Sequence, residues 1–162
     1  MTIRSPIVIG ADGLTQQLQA GDSIAVAANT PSIRAVTNGE SSAAITLGTP
    51  VYASAADTVK RAQANTKTTA KLAGLVYDST IAAAGVGNIA QSGVVIGTTT
   101  QWDVVAGTTG GLIFNSNYFL DPATPGKLTA TPPTTVGQCN VLIGLALSTT
   151  ELELQIAQPV LL

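Results

Sequence analysis

The fold class is indicated by residues 141–156, which read Val-Leu-Ile-Gly-Leu-Ala-Leu-Ser-Thr-Thr-Glu-Leu-Glu-Leu-Gln-Ile. Two short stretches of β-forming residues, Val141–Leu147 and Leu152–Ile156, are separated here by Ser-Thr-Thr-Glu, and such stretches are typical of β-strands bounded by turn residues. Leucine then alternates with Glu151 and Glu153, and this period of two places the glutamates on one face of a strand and the leucines on the other. The stretch predicts β structure with one buried face.

Short strands and turn signals recur along the whole chain. Gly and Asn supply positive φ and Pro presets a turn corner; they stand at Asp12-Gly13, Gly21-Asp22, Asn38-Gly39, 85–88, Gly110-Gly111, Pro125-Gly126 and Pro132-Pro133. The strands predicted between them are Ile7–Ile9, Ser23–Ala27, Ile33–Thr37, Ala44–Leu47, Val51–Ala53, Thr58–Ala62, Leu72–Tyr77, Asn88–Ile96, Trp102–Val105, Tyr118–Leu120, Leu128–Thr131, Val141–Leu147 and Leu152–Ile156. This pattern predicts an all-β fold, a compact sandwich or barrel-like domain with little helix.

The domain organisation is predicted to be simple. Residues 1–12, which are rich in apolar side chains, are expected to form an extended N-terminal arm, either as an edge strand of the same domain or lying across a neighbouring subunit. Residues 13–162 are expected to form a single β domain. The best helix candidate, Thr58–Leu72, carries four threonines and no clean i, i+3, i+4 apolar stripe, so at most one or two helical turns are expected.

An internal similarity suggests two related β-units, about 44–96 and 111–158. Residues 72–80, Leu-Ala-Gly-Leu-Val-Tyr-Asp-Ser-Thr, resemble residues 142–150, Leu-Ile-Gly-Leu-Ala-Leu-Ser-Thr-Thr. The alternative is chance similarity, because strands draw on a small set of residue types. The central glycine of each copy, Gly74 or Gly144, predicts a β-bulge or a close backbone approach.

Composition limits the function classes. Charged residues make up 10% of the 162 residues, against about 25% in typical proteins, and aromatic residues 4%. So little charge argues against disorder and would leave a large free surface poorly solvated, so we expect partners, including copies of the same chain, to cover much of it. With a net charge of −2 there is no basic stripe for nucleic acid, and no apolar run reaches the length of about 20 residues that spans a bilayer. No signal-peptide pattern opens the chain, so use in a cytoplasm is expected.

Side chains that could catalyse a reaction or bind a metal are scarce. Histidine, the commonest general base, is absent. The single Cys139 has no activating neighbour and is predicted to be a buried residue at the start of a strand. Glu151 and Glu153 form the best carboxylate pair, but their alternation favours a structural role on a solvated face, as at a sheet edge. Trp102 is predicted to anchor the core. We expect no catalytic residue, metal, cofactor or small-molecule substrate.

One sparse positive stretch holds Lys60, Arg61, Lys67 and Lys71. It predicts either a solvated loop or a contact with an acidic partner surface.

Several segments carry a resemblance to a known family. They are residues 111–133, with an aromatic pair, a Pro-Gly turn and Gly-Lys-Leu-Thr; residues 138–149, with Ile-Gly-Leu-Ala-Leu; and 47–52, 73–76 and 87–95. Together they resemble the capsid decoration (cement) proteins of tailed bacteriophages. The resemblance implies a β-rich body, often a homotrimer, made in the host bacterial cytoplasm and bound outside a shell of major capsid protein, with no catalytic residues.

Tail-fibre and spike modules share part of the pattern, so a tail-fibre or receptor-binding module is the alternative. The residues expected at the partner interface are Ile3, Pro6, Ile7, Ile9, Lys60, Arg61, Lys67 and Lys71.

Overall fold

The computed structural model describes residues 7–9, 15–17 and 30–162. Its strands are β1 Ile7–Ile9, β2 Thr15–Gln17, β3 Ser32–Asn38, β4 Ile45–Thr46, β5 Pro50–Ala55, β6 Thr58–Arg61, β7 Leu72–Val76, β8 Thr80–Ile81, β9 Val86–Ile96, β10 Asn117–Leu120, β11 Leu128–Thr129, β12 Cys139–Asn140, β13 Leu142–Ala146, β14 Glu151–Leu154 and β15 Val160–Leu161. The one helix in this part of the chain is α1, Thr99–Ala106. The all-β prediction is confirmed.

Five strands close into a small barrel in the order β9, β3, β6, β5, β7, with β7 pairing back onto β9. All the pairs are antiparallel except β3–β6, which is parallel. Every barrel strand contributes one aliphatic side chain to a single buried cluster, to which the short β4–β8 ribbon adds two isoleucines; its members are Val36, Val51, Val59, Val76, Ile89, Ile45 and Ile81. A barrel this narrow is filled by side chains, so its interior is a core.

The long strand β9 extends the barrel into a second sheet region. Residues 86–92 pair with β3, whereas residues 93–96 pair with β14. From β14 the sheet continues through β13 and β10 to β11. A second and larger core packs here; it includes Val95, Trp102, Tyr118, Ile143 and Leu152. The two cores therefore share one continuous sheet.

Strand β14 shows the predicted alternation. Leu152 and Leu154 are buried, and Glu151 and Glu153 are half-buried on the other face. However, β14 lies between β13 and β9, so the interpretation of these glutamates as charged residues on an edge strand is wrong. Their outer face is partly solvated even though the strand is internal, as in an antiparallel sheet with one wet face.

The prediction of a strand at Trp102–Val105 is wrong, because these residues lie in α1. Thr98 caps the helix: its Oγ1 accepts a hydrogen bond from the Gln101 N–H, and the Gln101 side chain accepts one from the Thr98 N–H. Gly107 ends the helix at φ 66°. This capping box and C-terminal glycine outweigh the β preference of two valines. The helix has eight residues, about two turns, which agrees with the predicted limit but not with its predicted place at Thr58–Leu72.

Both repeated glycines stand at close backbone approaches with register shifts, as predicted. A Cβ on Gly74 would lie 2.4 Å from the carbonyl oxygen of Ala90, and one on Gly144 would lie 2.0 Å from that of Glu153. The pairing of β5 with β7 shifts register between Val51 and Tyr52, opposite Gly74. The pairing of β10 with β13 shifts between Tyr118 and Phe119, opposite Gly144. Related β-units remain a prediction.

The segment predicted as an N-terminal arm is described only in part. Strand β1 pairs antiparallel with β2, Ile7 opposite Gln17 and Ile9 opposite Thr15. Among the described residues this pair forms a two-stranded sheet of its own. The arm's contact with a neighbouring subunit remains a prediction, and the predicted strand Ser23–Ala27 lies outside the described residues.

Candidate interaction surfaces

Side chains that could catalyse a reaction or bind a metal are not clustered in the described part of the fold. Within residues 7–9, 15–17 and 30–162, no three His, Cys, Asp or Glu side chains lie together as a metal site would require. Cys139 is fully buried at the start of β12, as predicted. Trp102 is also fully buried, and its Nε1 donates a hydrogen bond of 2.9 Å to the carbonyl oxygen of Thr150. Trp102 is a core anchor, as predicted.

Asp103 is the one carboxyl in the described part of the chain whose pKa clearly departs from its ordinary value. A 2.7 Å hydrogen bond from the N–H of Gly111 lowers this pKa, and hydrogen bonds from the Gly110 N–H and the Thr108 hydroxyl add to the effect, against an opposing contribution from desolvation. These bonds stabilise the carboxylate form. They also fasten the loop after α1 to the helix, which indicates a structural role.

A first group of exposed apolar side chains lies at one end of the second sheet region. We define the hairpin-end patch as exposed Ile96, Ile113, Phe114 and Leu147; backbone hydrogen bonds from Leu112 to Thr149 and from Asn115 to Ala146 hold residues 113–114 beside Leu147. Leu147 donates its N–H to the carbonyl of Glu151, and Glu151 lies opposite Ile96, so the three form a row across neighbouring strands. The N–H of Ile113 donates to the hydroxyl of buried Tyr118 at 2.9 Å. The patch is therefore anchored to the fold, although the Phe114 ring is 71% exposed.

A second group lies on and beside the small β12–β15 ribbon. We define the ribbon patch as exposed Val136, Val160, Leu161 and Leu162, of which Val160 and Leu161 follow each other in β15 and so lie on opposite faces of the ribbon. Cys139 pairs with Leu161, and two 2.9 Å backbone hydrogen bonds join Leu162 to Gly137 and Gln138. Val136 is 88% exposed, the largest value among the exposed apolar residues of the described chain. Grouped apolar side chains on a protein surface mark interaction sites more often than single ones do.

The residues named for the partner interface remain a prediction. Lys60, Lys67 and Lys71 are exposed, whereas Arg61, next to Lys60 on β6, is half-buried. Ile3 and Pro6 lie outside the described residues, and Ile7 and Ile9 lie in β1. The two apolar patches were missed by the sequence interpretation, which took segments such as Val141–Leu147 as buried strand.

Arg61 lines a pocket between the barrel and α1. The pocket has a volume of about 460 Å³, and Lys127 contributes a second cation. The Arg61 guanidinium donates to the carbonyl oxygen of Ala44 at 2.8 Å, and the Lys127 ammonium donates to that of Val104. Apolar side chains of α1 and β4, among them Val105 and Ile45, complete the wall.

α1, the single helix in the part of the chain that the structure describes, is too short to span a membrane. No protein-family model matches the chain, and no curated protein matches it.

Proposed function

We propose that the protein is a non-enzymatic structural protein of a tailed-phage virion, which binds the outer surface of the capsid and stabilises the shell by bridging subunits of the major capsid protein. We further propose that it acts as a homotrimer and carries no cofactor. The single observation that carries the proposal is the pair of exposed apolar patches on an all-β body whose residues are only 10% charged.

The two apolar patches suit a protein that functions with these surfaces buried against a partner protein. Phe114 and Val136 expose large apolar surfaces while the loops that hold them are bonded to the sheets behind. Fully burying a side chain of the size of Phe or Val contributes about 1.5–3 kcal/mol. Because the loops are anchored, less ordering entropy is lost on binding. Both features favour a stable protein–protein contact.

The continuous sheet also fits a cement role. A protein that binds only the assembled shell stabilises that state by linkage. The barrel and the second sheet region share β9, so the two ends of the body are joined by continuous backbone pairing. This continuous pairing makes the body one unit, which suits a protein that bridges subunits.

Binding to undecorated capsids tests the proposal. We expect Phe114→Ser and Val136→Ser each to weaken capsid binding by roughly tenfold or more. Val86→Ser is the matched control, since Val86 is 74% exposed but belongs to neither patch. Co-sedimentation with capsids measures the change. Equal binding by all three variants would mean that neither patch is the capsid contact.

Imaging and truncation test the remaining parts. Cryo-electron microscopy of the source virion should show density of this fold outside the capsid lattice. Removal of residues 1–12 should weaken capsid binding or trimer formation, as light scattering and co-sedimentation would measure. Density on a tail fibre, or binding to host cells and not to capsids, would instead support a receptor-binding module.

A further inference from the structure

We propose that the pocket lined by Arg61 and Lys127 is a binding site for a carboxylate carried on a short apolar stem, such as a glutamate or aspartate side chain of a partner. The assignment of that carboxylate to the capsid protein rests on the proposed function. The affinity of the pocket for a carboxylate does not.

Burial separates these two cations from the others. Six lysine and arginine residues lie in the described part of the chain; Arg34, Lys60, Lys67 and Lys71 are exposed, and Arg61 and Lys127 are half-buried. The two half-buried cations line the same pocket although they stand far apart in the sequence. Their stems are partly covered, whereas their charged ends make exposed hydrogen bonds, so two positive charges meet in one concave site and can still receive an anion.

Neither cation forms an ion pair within the described part of the chain, although Asp121 lines the adjoining pocket together with Lys127. The pocket lining contains no carboxylate. The one ion pair among the described residues joins Arg34 to Asp57 and is exposed. Glu40 approaches, but its carboxylate accepts the backbone N–H of Arg61 at 3.0 Å. The guanidinium and the ammonium donate only to neutral carbonyl oxygens, and a guanidinium has five N–H donors. Donors therefore remain for a ligand.

The backbone holds the two cations together. Gly126 donates its N–H to the carbonyl of Ala62 at 2.7 Å, which ties the turn before β11 to the residue after Arg61. The stem of Arg61 then lies against Gly126, where a Cβ would come within 2.9 Å of Arg61 Cδ. Gly126 has φ +75°, a conformation that favours glycine. Lys127 follows directly, so the positions of both cations depend on one fastened turn.

The lining favours a carboxylate on a carbon stem over a free inorganic anion. Ile45, Val104, Val105 and Pro125 contribute apolar surface. That surface can cover methylene groups, while the cations take the charged end through charge-assisted hydrogen bonds. A free phosphate would gain from the cations but would leave the apolar wall without a partner.

Titration of the full chain tests the site. The probe is N-acetylglutamate α-amide, with the glutamine analogue as the uncharged control of equal shape, and the readout is the NMR shift of the Gly126 N–H and the Arg61 Nε–H. We expect saturable binding with a dissociation constant on the order of millimolar. Arg61→Gln and Lys127→Gln should each weaken it about tenfold. Lys60→Gln, the matched control on β6, should change it less than twofold.

Three results would overturn the proposal. The first is equal shifts with the glutamine analogue, and the second is unchanged binding in both pocket variants. The third is saturation by inorganic phosphate without saturation by the carboxylate. Because Arg61→Gln could disturb the turn, Lys127→Gln, which leaves the Arg61 contact with Gly126 in place, provides the independent variant.

Capsid binding distinguishes this proposal from the proposed function. If Arg61→Gln binds capsids as well as wild type does while the carboxylate probe still binds wild type, the carboxylate is not on the capsid and that assignment is wrong. If wild type itself binds no capsid, the proposed function fails, and the titration alone still decides whether the pocket takes a carboxylate.

Discussion

Substitution of Gly144 by alanine tests how closely the second sheet region is packed. A Cβ at this position would lie 2.0 Å from the carbonyl oxygen of Glu153, whereas real Cβ atoms essentially never come within 3.0 Å of a heavy atom outside their own and the adjacent residues. The strands must therefore separate locally by at least about 1 Å. The oxygen belongs to the backbone of β14, which is paired on both sides, so it has little freedom to move away.

The expected cost follows from three contributions. Overpacking against backbone in a core costs up to about 3 kcal/mol. Weakened pairing between Leu145 and Glu153 costs about 1 kcal/mol more. The lower entropy of the unfolded chain when alanine replaces glycine returns about 1 kcal/mol. The free energy of unfolding should therefore fall by about 3 kcal/mol.

Urea unfolding measures this change, with Gly137→Ala as the matched control. Gly137 has φ +89°, and no heavy atom lies within 4 Å of the position that an alanine methyl group would take, so only the conformational cost applies. That cost is about 1–2 kcal/mol for an L-residue in a left-handed conformation. If Gly144→Ala loses no more stability than Gly137→Ala, the close approach of β14 is not what requires a glycine.

Three further predictions concern stability. Trp102→Phe should lower the free energy of unfolding by about 1 kcal/mol, because the indole hydrogen bond to the carbonyl of Thr150 is lost while that carbonyl keeps the Gly97 N–H as a donor; a loss below about 0.5 kcal/mol, the usual range for surface changes, would contradict this. Asn38→Ala should cost about 3 kcal/mol in thermal unfolding, because buried Asn38 donates to three carbonyls; an equal loss in exposed Asn65→Ala would refute it. Asp103→Asn should destabilise at pH 7, with the gap to wild type closing as pH falls below the ordinary pKa of 3.8 through the lowered folded pKa; a gap independent of pH would show that the carboxylate charge does not matter.

Local patterns in the sequence predicted much of the fold, because side-chain direction and steric space in a strand depend on a few consecutive residues. The alternation at Glu151–Leu154 marks the buried face of β14, since successive side chains in a strand point to opposite faces. Gly74 and Gly144 marked close approaches because no other residue leaves room for a neighbouring backbone. The two-residue strands β8 and β15 were missed, because an alternation of buried and exposed side chains cannot be recognised in two residues. α1 was missed although Thr98, Gln101 and Gly107 carry its capping signals.

The sequence alone determined the all-β class, the lack of histidine and the burial of Trp102 and Cys139. Composition can be counted directly, and the alternation of apolar and polar residues along a strand depends only on residues close together in the chain. Only the tertiary structure decided which strands pair, that β7 returns to β9 to close a barrel, and that β14 is internal. It also brought Arg61 to Lys127. These pairings depend on register between distant segments of similar apolar composition, and no local pattern in the chain distinguishes one such partner from another.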